Sequence, residues 1–239
     1  MYTPYGFFVF ISFIVGYAFI NGLSTWNNVK FFVILVVSIF SQRLWCGACA
    51  QSYSFTACLV TIPLLVSVLF DCANIRMLIF AFALACAIGR IGCYFAGCCT
   101  GKITDAAKYT IQYTKGVVNQ KTFRPVVNVY PTVLIEIVLQ FLIAFVVYYQ
   151  KYGVLLYGIF NIALLFVTTF WRDEPRISTT LTVVPVVALL AFSSIVFARG
   201  CYSAPLTDLK FKIKLPSVGF GAILGWIVSN NLYADALKI

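Results

Sequence analysis

Arg90 has the clearest chemical signal in the chain, because it stands late in a long apolar stretch, next to Gly89 and just before Gly92. A cation at such a position is costly unless it meets water, a carboxylate or a lipid phosphate. A guanidinium holds phosphate through two parallel hydrogen bonds, and flanking glycines let a ligand or a backbone come close. Gly97 and Gly101 add a spacing typical of helix packing. The alternative is an arginine that reaches from a helix end to the membrane surface.

Glu136 is the second candidate, since it lies more than one turn inside the apolar run that Pro131 opens. A buried carboxylate needs a partner or a proton. Arg90 and Arg172 are the candidate partners. The pair either belongs to a ligand site or is a structural ion pair that fixes the register of two helices.

Arg172 and Tyr157 are weaker candidates on the following apolar run. Arg172 comes directly after Phe170 and Trp171, a pattern that any helix shows where it leaves a bilayer. Tyr157 lies upstream on the same run, where its hydroxyl can hydrogen-bond into a bundle. The chain has no His, so the commonest general base and metal ligand is missing.

The composition of the 239-residue chain indicates which solvent surrounds these residues. Hydrophobic residues make up 62% and charged residues 10%, and the mean hydropathy is +0.97. A soluble domain is roughly 45–50% apolar and about 25% charged, so lipid must cover part of this surface. The net charge of +10 comes from basic residues dispersed among short loops. That pattern fits lipid head groups and argues against nucleic-acid binding.

The apolar runs predict an all-α membrane protein, a polytopic bundle of about seven transmembrane helices with about 20 residues each. The second of these runs is short for a full crossing. The runs cover about residues 5–23, 30–40, 55–70, 77–96, 131–149, 153–171 and 181–198.

One long polar loop, residues 101–130, separates the fourth and fifth helices of this prediction. Its alternating stretch at 109–118 predicts short strands, and a loop of this length is usually functional or disordered. We interpret residues 1–239 as one transmembrane domain. Its basic tail, residues 200–239, contains a weaker apolar run at 218–228, which either lies on the membrane surface or crosses it as an eighth helix.

The nine cysteines raise a separate hypothesis of thiol chemistry. Cys46 and Cys49 have the CxxC spacing, while Cys93, Cys98 and Cys99 cluster. CxxC indicates redox or zinc chemistry only in a redox fold or beside further ligands. Neither context is visible, so packing between helices is the favoured role for most of these side chains. The odd count argues against a complete disulfide framework.

Taken in order, four segments resemble those of the prolipoprotein diacylglyceryl transferase family. The segments read Gly-Arg-Ile-Gly, Tyr-Pro-Thr-Val-Leu-Ile-Glu, Tyr-Gly-Ile-Phe and Phe-Trp-Arg-Asp-Glu-Pro, at residues 89–92, 130–136, 157–160 and 170–175. The cysteine-rich continuation of the first segment is typical of a divergent branch. The resemblance covers about residues 89–175, and the N-terminal helices agree only in number and character.

The resemblance implies a multi-pass enzyme of a bacterial-type plasma membrane. It would move diacylglycerol from phosphatidylglycerol to the lipobox cysteine of a preprolipoprotein, with no cofactor or metal and no nucleic-acid partner. Cationic donors must stabilise the departing glycerol phosphate, and the acceptor thiol must lose its proton. Carried over by motif position, Arg90 would hold the phosphate, Glu136 would organise the polar centre and Tyr157 would line the lipid cavity. The substrate-binding residues would be Gly89, Gly92, Cys93, Tyr53, Tyr130, Asn161 and Arg172.

The chain departs from the family pattern at three places. Cys93 stands where the family usually has Asn, a change that the divergent branch shares. The upstream segment at residues 51–55 contains Tyr53 but neither His nor a glycine pair. Asn161 replaces an Arg that the family has four residues after Tyr157, and a neutral amide cannot replace a cation's attraction for phosphate.

These departures leave an alternative function open. A catalytically degenerate homologue would act as a structural or lipid-binding membrane protein. The missing cation favours this alternative, unless Lys102 or Arg124 from the polar loop supplies the charge instead.

Overall fold

The computed structural model of the chain describes residues 4–20, 24–46, 55–97, 101–105, 109–113, 116–118, 121–123, 127–171, 180–203 and 215–231. This described part is mostly helical, as predicted. Its eight helices are α1 (Pro4–Phe19), α2 (Thr25–Cys46), α3 (Phe55–Leu69), α4 (Cys72–Ala96), α5 (Thr132–Tyr149), α6 (Gly153–Trp171), α7 (Thr180–Ala198) and α8 (Leu215–Asn231). Between α4 and α5 lie β1 (Ile111–Tyr113), β2 (Gly116–Val118), β3 (Lys121–Phe123) and β4 (Val127–Val129).

The ends of the helices follow the predicted apolar runs where turn residues mark them. α5, α6 and α7 start and stop within about one residue of the prediction, since Pro131 precedes the first of them and Gly153 begins the second. The prediction for α2 is wrong in length, because the helix continues through polar residues on both sides of its apolar centre. At its start, the hydroxyl of Ser24 accepts a hydrogen bond from the backbone N–H of Asn27 at 3.3 Å.

α4 is the longest helix and starts at Cys72 rather than near residue 77. The carbonyl of Asp71 accepts the N–H groups of Asn74 and Ile75 at 2.9 and 3.1 Å, which begins the helix before the apolar run does. Gly97 ends it in the left-handed conformation, at φ 64°. The helix-packing interpretation of Gly97 is therefore wrong. At 25 residues, α4 is about 37 Å long, more than the hydrocarbon core of a bilayer.

The side chains are distributed as expected for a bundle that lipid surrounds. The outward faces of α5, α6 and α7 carry large apolar residues that are each about half exposed, such as Phe145, Ile159 and Leu190. The charged pair Arg90 and Glu136 is buried between the helices instead, as are the amides of Gln140 and Asn161. α4 and α5 are long and apolar enough to cross a membrane, with mean hydropathies of 2.0 and 2.2. Lipid-covered apolar faces and internally paired polar groups are the two requirements of a membrane-spanning bundle.

α4 occupies the centre of the bundle, between α1 and α5, and α8 packs on the other side of α1. Two glycines allow this last contact. A Cβ atom at Gly221 would lie 2.8 Å from the carbonyl oxygen of Phe13, and one at Gly225 would lie 3.0 Å from that of Phe10. The weaker apolar run of the tail thus forms a helix that approaches the α1 backbone through small residues.

The strands of the polar loop pair in a nested order. β1 pairs with β4 and β2 pairs with β3, both antiparallel, which gives the segment 111–129 the form of a hairpin. Ile103 bridges to Val129 on the other side of β4. The hydroxyl of Tyr113 donates to the carbonyl of Tyr94 at 3.0 Å. The hairpin is thereby attached to the last turn of α4.

The cysteines divide into one disulfide and separate thiols. Cys72 at the start of α4 bonds to Cys201, which begins a short 3-10 helix (Cys201–Ser203) after α7. Cys58, Cys86 and Cys93 lie inside the bundle and, within the described part of the chain, are not joined in a disulfide. The side chains that the CxxC and cluster hypotheses need lie outside those that the structure describes, at Cys46, Cys49, Cys98 and Cys99.

Candidate active site

Two charged side chains lie buried together between α4 and α5. Arg90 is 2% exposed and Glu136 is 3% exposed, and the Arg90 Nε lies 2.9 Å from Glu136 Oε2. The Nη1 of Arg90 also donates to the Cys93 sulfur at 3.7 Å. Of the two predicted partners of Glu136, the structure therefore pairs it with Arg90, and Arg172 lies outside the described residues.

Helical periodicity explains why these residues meet. α4 and α5 each place three of their non-aliphatic side chains on one face, because the residues are three or four positions apart. These residues are Cys86, Arg90 and Cys93 on α4, and Thr132, Glu136 and Gln140 on α5, all of them buried. With Tyr157 and Asn161 of α6 they form what we call the polar column. It runs inward from the loop end of the bundle for about 12 Å along α5.

The outer part of the column is enclosed by apolar contacts. Val133 and Ile137 of α5 pack with Cys93 of α4, and Ile91 and Tyr94 cover that cluster. Removing two charges from water costs several kcal/mol per ion, an expense that a close partner offsets. In this apolar surrounding, the charge of Arg90 and the charge of Glu136 therefore each offset the cost of burying the other.

An amide pair forms the next layer of the column, one helical turn further in. Gln140 Nε2 donates to Asn161 Oδ1 at 2.8 Å. Asn161 Nδ2 in turn donates to the backbone carbonyl of Tyr157 at 2.9 Å. All three residues are fully buried. The layer joins α5 to α6 without any charge.

Tyr157 marks the inner part of the column. Its ring packs edge-to-face on Phe192 of α7, with centroids 5.7 Å apart. Cys58 and Cys86 lie close enough to interact electrostatically with its hydroxyl. Among the described residues, that hydroxyl has no hydrogen-bond partner.

The outer end of the column is closed by contacts between the polar loop and two helix ends. The ring of Tyr130 stacks on Trp171, with centroids 6.3 Å apart and planes 10° from parallel. The N–H of Lys102 donates to the Trp171 carbonyl at 2.7 Å. A Cβ atom at Gly101 would lie 2.5 Å from the Tyr130 carbonyl and 2.6 Å from Thr132 Oγ1. Only glycine fits that position.

The predicted site residues fall into three groups. The column unites Arg90, Glu136, Cys93, Tyr157 and Asn161.

Three other predicted residues lie beside the column. A Cβ atom at Gly89 would face Ser12 of α1, at 3.9 Å, rather than α5. Gly92 is buried within α4, and Tyr130 lies at the outer end.

Of the remaining candidates, the structure describes Lys102 alone. Tyr53, Arg124 and Arg172 lie outside the described residues. The side chain of Lys102 is exposed, so the structure does not place it where a second cation would be needed. Lys102 contributes its backbone N–H instead.

Sequence analysis missed Gln140. A polar signal was present, because Thr132, Glu136 and Gln140 recur every fourth residue in an otherwise apolar helix. Three such residues in register indicate a buried polar face. Cys86 was likewise considered only as packing, although it lies four residues before Arg90 and within electrostatic range of it.

Comparison with known proteins places this geometry in a family context. The family model of prolipoprotein diacylglyceryl transferase matches residues 53–204. This range contains every described residue of the polar column. Members of that family are integral membrane proteins that act on a lipid and a lipoprotein precursor. Neither the curated proteins nor the solved structures gave a match to the chain.

Proposed function

Because the chain belongs to the prolipoprotein diacylglyceryl transferase family, we propose that it moves diacylglycerol from phosphatidylglycerol to the lipobox cysteine of a precursor lipoprotein. The observation that carries the proposal is the buried pair of Arg90 and Glu136. Both residues come from motifs of the family, and they meet inside the bundle rather than at its surface. A guanidinium in that position suits the phosphate of a lipid that enters from the side.

The proposed reaction forms a thioether and releases glycerol phosphate. The acceptor sulfur attacks the glycerol carbon of the diacylglyceryl group after the thiol has lost its proton, which ends on the released glycerol phosphate. The bond between that carbon and the phosphate oxygen breaks, and its electron pair leaves with glycerol phosphate. Arg90 stabilises the charge on the departing group, while Glu136 orients the guanidinium. Tyr157 lines the cavity that the lipid occupies.

We also propose that the bundle crosses a bacterial-type plasma membrane about seven times. α4 and α5 have the required length and hydropathy. Among the side chains that the structure describes, the apolar stretches of α1, α2, α3, α6 and α7 are shorter. The 1–239 extent of the domain belongs to this proposal, in which α8 either lies on the membrane surface or crosses it as an eighth helix.

A second candidate function is that of a lipid-binding homologue without catalysis. The observation that favours it is Asn161, whose amide bonds to Gln140 and Tyr157 at the position of a family cation. With Arg90 as the one guanidinium among the described residues of the column, the protein retains a phosphate-binding group but has less charge to stabilise a leaving group.

A transfer assay separates the two functions. Purified protein in phosphatidylglycerol liposomes is incubated with a lipobox peptide, and the thioether product is measured by mass spectrometry. If the protein is an enzyme, Arg90→Lys keeps a cation beside Glu136 but loses the two parallel hydrogen bonds that a guanidinium donates to phosphate, so transfer falls at least about tenfold. Lys102→Ala, at an exposed side chain, is the control and keeps the full rate.

The result for the unmodified protein decides between the candidates. Phosphatidylglycerol binding without any thioether product would support the lipid-binding homologue. Full activity of Arg90→Lys and of Arg90→Ala would overturn the proposed role of Arg90.

A further inference from the structure

The amide layer has an orientation that the backbone fixes. The carbonyl of Tyr157 can only accept, so the group of Asn161 that faces it must be the N–H₂. The oxygen of Asn161 then faces Gln140, so Gln140 must donate a hydrogen bond to it through its own N–H₂. The Oε1 of Gln140 is therefore left as an acceptor that points away from Asn161.

Two buried polar atoms of the inner column are without a partner. Within the part of the chain that the structure describes, neither Gln140 Oε1 nor the Tyr157 hydroxyl makes a hydrogen bond. Both residues are fully buried. Buried polar groups are nearly always paired, and an exception needs an explanation. A purely structural role for the amide pair explains the bond to Asn161 but not the free oxygen.

The chemistry of the two atoms selects the ligand. Gln140 Oε1 requires a donor, whereas the Tyr157 hydroxyl can donate or accept. An ester carbonyl offers no donor to Gln140 Oε1, and an ammonium leaves the proton of the Tyr157 hydroxyl without an acceptor, while a hydroxyl offers both a donor and an acceptor. A polyol with neighbouring hydroxyls can therefore satisfy both atoms.

The position of these atoms relative to Arg90 connects them to a lipid head group. Gln140 is one turn, about 6 Å, beyond Glu136 on α5, and Glu136 holds Arg90. A phosphate at Arg90 thus places the group attached to it within reach of the amide layer. We propose that Gln140 and Tyr157 bind the hydroxyl groups of the lipid head group and so select a glycerol head over one without hydroxyls. This inference rests on the proposed function, because it takes Arg90 as the phosphate site.

The test compares two lipids of equal charge. Phosphatidylpropanol carries the same phosphate and three head-group carbons as phosphatidylglycerol but has no hydroxyl. The full chain in detergent is given an equimolar mixture of both, and bound lipid is counted by native mass spectrometry. We expect the unmodified protein to favour phosphatidylglycerol by at least about tenfold.

Two variants remove the two partners separately. Gln140→Met replaces the amide by an apolar chain of similar length, and Tyr157→Phe removes only a hydroxyl, so at least the second retains the packing on Phe192. Each is expected to reduce the preference to less than about threefold, with phosphatidylpropanol binding unchanged. Leu142→Met, on the exposed face of α5, is the matched control and keeps the preference.

The binding readout keeps this inference separate from the proposed function. Equal binding of the two lipids by the unmodified protein, or an unchanged preference in both variants, would overturn it even if transfer occurs. Loss of affinity for the lipobox peptide alone in Gln140→Met would also overturn it, since the oxygen would then serve the thiol. A clear preference in a protein that transfers nothing would support the head-group site and reject only the enzymatic role.

Discussion

The two ends of α4 use arginine in opposite ways. Near the loop end, Arg90 pairs with a carboxylate and a thiol. Near the other end, Arg76 donates to the backbone carbonyls of Val147, at 2.9 Å, and Tyr148, at 3.2 Å. These carbonyls end α5 and lack partners within the helix. Arg90 thus pairs with a charged side chain and can also bind an anionic ligand, whereas Arg76 supplies hydrogen-bond donors to the last carbonyls of a helix.

The second arrangement recurs beside Arg76. Arg199, just after α7, donates to the carbonyls of Ser67 and Phe70 at the end of α3. The Cys72–Cys201 disulfide lies beside it in the chain. We call this group of two arginines and the disulfide the capped end. The comparison indicates that a buried arginine is a functional candidate when its partner is a side-chain charge, and a structural one when its partners are backbone carbonyls.

The strongest way to break this comparison is to remove the charges of the column without leaving either one alone. In Arg90→Met combined with Glu136→Leu, we expect transfer to fall at least about a hundredfold. Replacing a buried ion pair by apolar residues is often neutral for stability, so the thermal unfolding midpoint in detergent should stay close to that of the unmodified protein. Arg90→Met alone strands Glu136 and should cost about 3 kcal/mol. A double variant that unfolds like the single one would make the pair primarily structural.

How far the sequence allowed this site to be predicted depends on the range of the forces involved. The pairing of Arg90 with Glu136 was among the predicted alternatives, because a charge in an apolar helix must find a partner and few exist. The ends of α5 and α6 were predictable from Pro131 and Gly153 for a similarly local reason.

Contacts decided by tertiary packing were not predictable. Arg76 fell between the third and fourth predicted runs, 55–70 and 77–96, whereas it lies inside α4 and reaches the end of α5. The Cys72–Cys201 bond joins residues 129 positions apart, and nothing local selects that pair among nine cysteines. The Gln140–Asn161 bond depends on the rotation of α5 relative to α6, which hydropathy does not define.

At the capped end, the disulfide is expected to have the largest effect on stability. Because it closes a loop of 129 residues, Cys201→Ser should lower the free energy of unfolding by about 3 kcal/mol. The transfer rate per folded molecule should stay unchanged, since the polar column lies toward the other end of α4. The measurements are thermal unfolding in detergent and the transfer assay on the folded fraction. A lower rate at full folding would show that the two ends are coupled.

Arg76 provides a smaller and more direct contrast with Arg90. Arg76→Met leaves carbonyls at the end of α5 without donors, which should cost about 2 kcal/mol of stability. Arg76→Lys restores a donor and should recover part of that loss. Neither variant is expected to alter lipid preference or transfer by the folded protein. If Arg76→Met abolished transfer while the protein remained folded, the type of hydrogen-bond partner would not tell a functional buried arginine from a structural one.

The smallest expected effect concerns the hairpin, which covers the same end of α4 that carries the column. Tyr113→Phe removes its hydrogen bond to the Tyr94 carbonyl but keeps the ring contact between the two residues. Loss of one such bond is worth about 1 kcal/mol, too little to change global unfolding clearly. It should instead appear as faster amide hydrogen exchange in β1 and β4, because local opening reports local contacts. Exchange that remains slow would mean that the backbone contacts of Gly101, Lys102 and Ile103 hold the hairpin without Tyr113. The loop end would then be held by hydrogen bonds to backbone carbonyls, as the capped end is, and the partner of Arg90 would be the main difference in how the two ends use arginine.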